Sequence, residues 1–199
     1  MDLQDTWTRC FAELGAAPPE GAFADVTARY GEPHRAYHTV QHLHECMGLW
    51  RDTQASAEIG LALFYHDAIY DTHAADNEER SAQLAVDVLS SALPQANIAQ
   101  IGALILATKH AAAPETDDAK LLVDIDLAIL GAEPARFDEY ERQVRVEYGW
   151  VSDDAFREGR ARILRHFLER PVLYSTADLR RRLERRARNN LWRSLAALV

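Results

Sequence analysis

The chain has 199 residues, 48% hydrophobic and 27% charged, with a formal net charge of -9 at pH 7. That length suffices for one sizeable core, and the acidic balance argues against a protein whose main task is gripping nucleic-acid backbones, while still allowing a small anionic substrate beside a bound cation. No apolar run approaches a bilayer span, the start Met-Asp-Leu-Gln-Asp-Thr-Trp lacks the regions of a signal peptide, and Cys10 and Cys46 form neither a disulfide framework nor a metal-type pair, so the expectation is a cytoplasmic protein with no membrane partner.

Periodicity is helical nearly throughout, which predicts a single all-α domain over residues 1–199, a bundle of about nine helices. Leu3 to Leu14 is the first, closed by Gly15 and Pro18-Pro19, and Phe23 to Tyr30 a short second. Tyr37 to Trp50 is the third, with Val40, Leu43, Met47 and Trp50 on one face and His38, His42 and Glu45 on the other. Ala57 to Tyr70 is apolar all round, as a helix surrounded by others must be. Asp76 with Glu79 reads as a capping signal for a helix to Ala92, followed by Ile98 to His110. Asp117 or Asp118 caps a helix that stops at Gly131, and Pro134 opens Ala135 to Tyr148. Ser152 caps a helix to Glu169, and Ser175 or Thr176 starts the last, to Leu198.

Polar groups interrupt three of these apolar helices: His38 in Tyr-His-Thr-Val-Gln-His, the adjacent His66-Asp67, and Asp124-Ile-Asp126. Burying an imidazole beside a carboxylate costs several kcal/mol, about 3–5, unless something compensates. Singly, each group has a structural reading as a hydrogen-bonded core residue. Jointly they offer two imidazoles and two carboxylates from separate helices, with coordination positions left over for water and substrate, as a catalytic metal requires. Nitrogen and oxygen donors leave Mn, Fe, Co, Ni, Zn and Mg all open as the divalent ion.

The ordered set Tyr37-His38-Thr39 with His42, Phe64-Tyr65-His66-Asp67-Ala68-Ile69-Tyr70-Asp71, Asn77-Glu78, Thr108-Lys109-His110 and Asp124-Ile125-Asp126-Leu127 resembles the HD superfamily of metal-dependent phosphohydrolases. The match is to its compact bacterial branch, and Val144-Arg145, Gly159-Arg160 and Ala187-Arg188 extend it from residue 34 to the C-terminus. The resemblance implies an HD-type fold and metal ligands His38, His66, Asp67 and Asp126, with His42 competing for the place of His38 and Asp126 preferred to Asp124. It also implies hydrolysis of a phosphate ester, of a nucleotide or another small molecule. Leu127 stands where commoner members carry a basic residue.

Asp71 and Glu78 are the candidates for proton transfer, against plain roles in ending one helix and favouring the dipole of the next. Lys109, His110 and Arg145 are the candidate substrate contacts, the first two with an alternative role on terminal carbonyls. Tyr148 and Trp150 read as core packing ahead of an aromatic face for a base, and the Arg180 to Arg188 run as a solvated amphipathic helix ahead of a phosphate or nucleic-acid patch. Two other functions fit the same residues: a di-iron oxygenase that adds His42 and His110 as ligands, and a non-catalytic nucleotide-binding module.

Overall fold

The computed structural model describes residues 2–198. Among them the chain is all-helical, with ten α-helices, one 3-10 segment and no strand. No helix among the described residues is long and apolar enough to cross a membrane. The backbone groups into two compact units, residues 1–123 and 124–199.

The first unit holds α1 (Leu3–Glu13), α2 (Ala22–Arg29), α3 (Val40–Thr53), α4 (Ala57–Tyr65), α5 (Asn77–Leu89) and α6 (Gln95–Ala107), with the first turns of α7 (Asp117–Asp126). It is built around α4, against which α1, α2, α3, α5 and α6 all pack. Every α4 residue except Glu58 is buried, and fully burying a side chain such as Leu61 or Phe64 is worth about 1.5–3 kcal/mol. Ser56 starts the helix by accepting the Ile59 N–H at 3.4 Å. Gly60 is required by close approach: a Cβ there would lie 2.6 Å from Cys10 Sγ and 3.0 Å from the Trp50 ring. Trp7, Phe11, Phe23, Phe64 and Tyr65 form an aromatic cluster on the α1 side, with Trp7 and Phe64 edge-on at 5.1 Å.

The second unit contains the end of α7, a 3-10 turn (Leu127–Gly131), α8 (Pro134–Glu147), α9 (Asp153–Glu169) and α10 (Ala177–Leu198). α10 buries Leu179, Leu183, Ala187, Asn190, Leu191 and Leu195 along one stripe. Its polar groups fasten the 3-10 turn: Asn190 Nδ2 donates to Leu130 O at 3.0 Å and Ala132 O at 2.9 Å, and Arg186 Nε to Gly131 O at 2.5 Å. Arg180 and Arg188 donate to carbonyls, and Arg181 and Arg182 pair with Asp178, so these guanidiniums are engaged within the fold. Trp150 departs from the core-packing expectation and is 55% exposed.

Three helix boundaries differ from the periodic reading in ways that bear on function. α3 starts at Val40, with the Thr39 hydroxyl capping Gln41 N at 3.3 Å, so His38 precedes the helix instead of sharing its face with His42. α4 stops at Tyr65, with His66 as its C-cap, and residues 66–71 leave the helical path although no Gly or Pro breaks it. Thr116, not Asp117 or Asp118, starts α7, accepting the Ala119 N–H at 3.2 Å.

Candidate metal centre

The His66 ring is 1% exposed at the end of α4, and its Nδ1 lies 2.7 Å from the Leu63 carbonyl oxygen. A carbonyl can only accept, so Nδ1 carries the hydrogen and the Nε2 of the neutral ring is left as a lone pair. That Nε2 is 3.0 Å from Asp67 Oδ2 and 3.1 Å from His42 Nε2. His42 Nε2 is in turn 3.5 Å from Asp67 Oδ2, and its Nδ1 lies 3.0 Å from the Tyr37 hydroxyl. In the His42 tautomer whose Nδ1 donates to Tyr37, His42 Nε2, His66 Nε2 and Asp67 Oδ2 turn lone pairs toward one another, the arrangement that a shared cation would satisfy.

The spacing fits a metal. Two donors each about 2.1 Å from an ion stand about 3.0 Å apart at a right angle and about 3.4 Å apart at the tetrahedral angle. The observed separations of 3.0, 3.1 and 3.5 Å span that range. The His66–carbonyl bond is also the outer contact that commonly orients a ligating imidazole. Burial works against ionisation of Asp67, but positive charge on the neighbouring imidazoles, His66 first, then His38 and His42, overrides it and holds the carboxyl well below its usual range, as a bound cation would.

Cys46 is the residue that sequence reasoning missed. His42, Cys46 and His66 each offer a ligand atom within 4.8 Å of the others, and all three are buried. Cys46 follows His42 by one helical turn on α3, a spacing visible in the sequence once Cys46 is considered apart from Cys10. Its Sγ is 3.7 Å from both His42 ring nitrogens. Equal distances put the sulfur beside the ring, off the line of the Nε2 lone pair.

The other candidates are placed as follows. His38 stacks on Tyr70, with ring centroids 4.0 Å apart, and its charge acts on Asp67. Asp71 accepts the His73 N–H at 2.9 Å on an exposed loop, and Glu78 stands in the first turn of α5. Lys109 pairs with exposed Glu79, and His110 adopts a left-handed backbone with φ 54°. A cavity of about 760 Å³ lined by Leu104, Ala107, Lys109 and Pro114 includes none of the three converging residues.

In the second unit, Asp126 is the last residue of α7 and is half-buried. Asp124 is fully buried, and its oxygens accept the Ser175 N–H at 2.8 Å, the Thr176 N–H at 2.6 Å and the Thr176 hydroxyl at 2.7 Å. This carboxylate caps α10 from a distance in sequence. Arg145 donates to Tyr148 O at 2.7 Å and Val151 O at 3.1 Å and pairs with Asp153 at 2.7 Å, which commits its guanidinium to the α8–α9 loop.

A buried His-Cys-His group beside an ionised aspartate is therefore compatible with a divalent metal. No family model, no curated protein and no solved structure matches the chain.

Proposed function

We propose that the protein is an HD-type, metal-dependent phosphohydrolase acting on a phosphate ester of a nucleotide or another small molecule. The observation that supports it most is the convergence of His42 Nε2, His66 Nε2 and Asp67 Oδ2 within 3.0–3.5 Å. In this reading His42, not His38, is the first ligand, because His42 faces the other two while the His38 ring stacks on Tyr70. The family resemblance also implies Asp126, which belongs to the second unit, as a distal carboxylate.

A divalent ion bound by these groups would supply a Lewis acid that polarises a phosphoryl oxygen and acidifies water. The chain's own residues do the rest. The ring nitrogens of His42 and His66 and the carboxylate of Asp67 would hold the ion. Asp71 or Glu78 takes the proton of the attacking water and returns it to the leaving oxygen as the P–O bond breaks. Lys109 and His110 are the cationic candidates for the phosphate oxygens, while Arg145 is not carried forward because its donors are already used.

The test is metal analysis of purified protein, followed by chelation, reloading with Mn, Fe, Co, Ni, Zn or Mg, and a phosphate-release screen over nucleotides and small phosphate esters. Expected are a stoichiometric first-row metal and turnover that disappears on chelation and returns with metal. Hydrolysis that persists in metal-free protein overturns the proposal. So do two irons per chain with oxygen consumption, as an oxygenase requires, and tight nucleotide binding with no turnover on any metal, as a binding module requires.

A further inference from the structure

The backbone of residues 66–71 is held by side chains from elsewhere in the first unit. The Ile69 N–H donates to Ser81 Oγ at 3.0 Å, and the Asn77 side chain spans Asp71, accepting its N–H at 3.1 Å and donating to its carbonyl at 2.9 Å. The carbonyls of Asp67 and Ala68, beside the His66-Asp67 pair in the chain, have another donor. Arg35, whose side chain is 0% exposed, donates from one terminal nitrogen to Asp67 O at 2.6 Å and from the other to Ala68 O at 3.1 Å.

The same guanidinium reaches the other ligand-bearing segment. It donates to His38 O at 3.2 Å, just ahead of the Thr39 cap that starts the helix of His42. Its remaining donors go to Glu32, through Nε at 3.0 Å and a terminal nitrogen at 2.9 Å. Its central carbon lies 5.3 Å from the Tyr30 ring and 5.5 Å from the Tyr70 ring, so aromatic faces hold the plane. A guanidinium has five N–H donors, about as many as the contacts found here, and no exposed surface from which to touch substrate.

We propose that Arg35 is the positioning residue of the metal centre, a buried guanidinium that ties the carbonyls of His38, Asp67 and Ala68 into one rigid frame and thereby fixes Asp67 Oδ2 relative to His42 and His66. The inference rests on the metal reading above. Arg35 acts through backbone carbonyls: it fixes where two segments meet, and a lysine cannot replace it because an ammonium offers its three donors from a single point.

The experiment is titration of Arg35→Met, Arg35→Lys and wild type with Co(II), reading affinity and the visible d–d spectrum, with far-UV circular dichroism and melting temperature alongside. Leu3→Ala, a buried α1 substitution away from the frame, is the control for general destabilisation. Expected is a loss of Co(II) affinity of about 10–100-fold with a changed spectrum in Arg35→Met. Arg35→Lys stays folded and recovers only part of the affinity, while Leu3→Ala melts earlier and binds Co(II) as wild type does. If Arg35→Met does not fold, Arg35→Lys carries the test. Wild-type affinity and spectrum in either folded Arg35 variant overturn the inference, as does an equal loss in Leu3→Ala. Failure of wild type itself to bind Co(II) overturns the metal reading instead, so the two failures are distinct.

Discussion

Asp67 and Asp124 are both aspartates set among core residues, and their surroundings are opposite. Asp124 is met by three donors, two backbone N–H groups and a hydroxyl, and it starts a helix. Asp67 is met by two imidazole nitrogens at 3.0 and 3.5 Å, one of them already assigned as a lone pair by its ring partner. A buried carboxylate that finds donors is structural. One that meets an imidazole lone pair has a place for a cation. Asp124 is fully buried and Asp67 half-buried, but it is the identity of the neighbouring atoms that separates the two cases.

The largest expected effect breaks the comparison at its acceptor-rich end. His42→Ala lowers metal affinity by more than about 100-fold, beyond the 10–100-fold typical of an outer partner, whereas His38→Ala stays within about tenfold. Metal content after gel filtration and competition with a chelator measure both, and the reverse order would return the first-ligand role to His38. At the donor-rich end, Asp124→Ala removes a buried cap and leaves N–H groups unsatisfied, costing about 2–4 kcal/mol in urea unfolding with metal stoichiometry unchanged. Loss of metal in that variant would erase the distinction.

Cys10 is a third case, a buried thiol. Burial pushes its thiol up to about 12. Because the folded value is raised, its contribution to stability is complete below the unfolded value of about 8.5 and is lost as pH rises through the folded one. Between about pH 8.5 and 10.5, wild type therefore loses stability faster than Cys10→Ala, as urea midpoints would record. Equal slopes would show that the thiol does not ionise on unfolding. The smallest effect belongs to a pair that is hardly buried. Lys109→Ala breaks a contact with Glu79 whose partners are 39% and 47% exposed, so the melting temperature is unchanged within error, and a raised KM for a phosphate ester would report on substrate alone.

Much of the helical order was legible because burial imposes a period. Residues Leu179, Leu183, Ala187 and Leu191 sit where an amphipathic stripe requires them, and the near-complete burial of α4 follows from its lack of polar residues. The helix ends were less legible. Leu61 to Asp71 contains no breaker, yet α4 stops at Tyr65 because Arg35, Ser81 and Asn77, all outside that stretch, take up backbone groups that a continuing helix would have paired internally. The shortened start of α3 similarly removes His38 from the face that carries His42.

By itself the sequence determined an all-helical chain, with His66-Asp67 inside its most apolar segment, since local periodicity and composition carry that information. Which histidine faces that pair, that Cys46 lies beside it, and that Asp124 is occupied as a cap were decided only by tertiary structure. The physical reason is that a hydrogen bond or a ligand bond depends on atoms meeting within about 3.5 Å. Residues far apart along the chain reach that distance only when whole helices have packed.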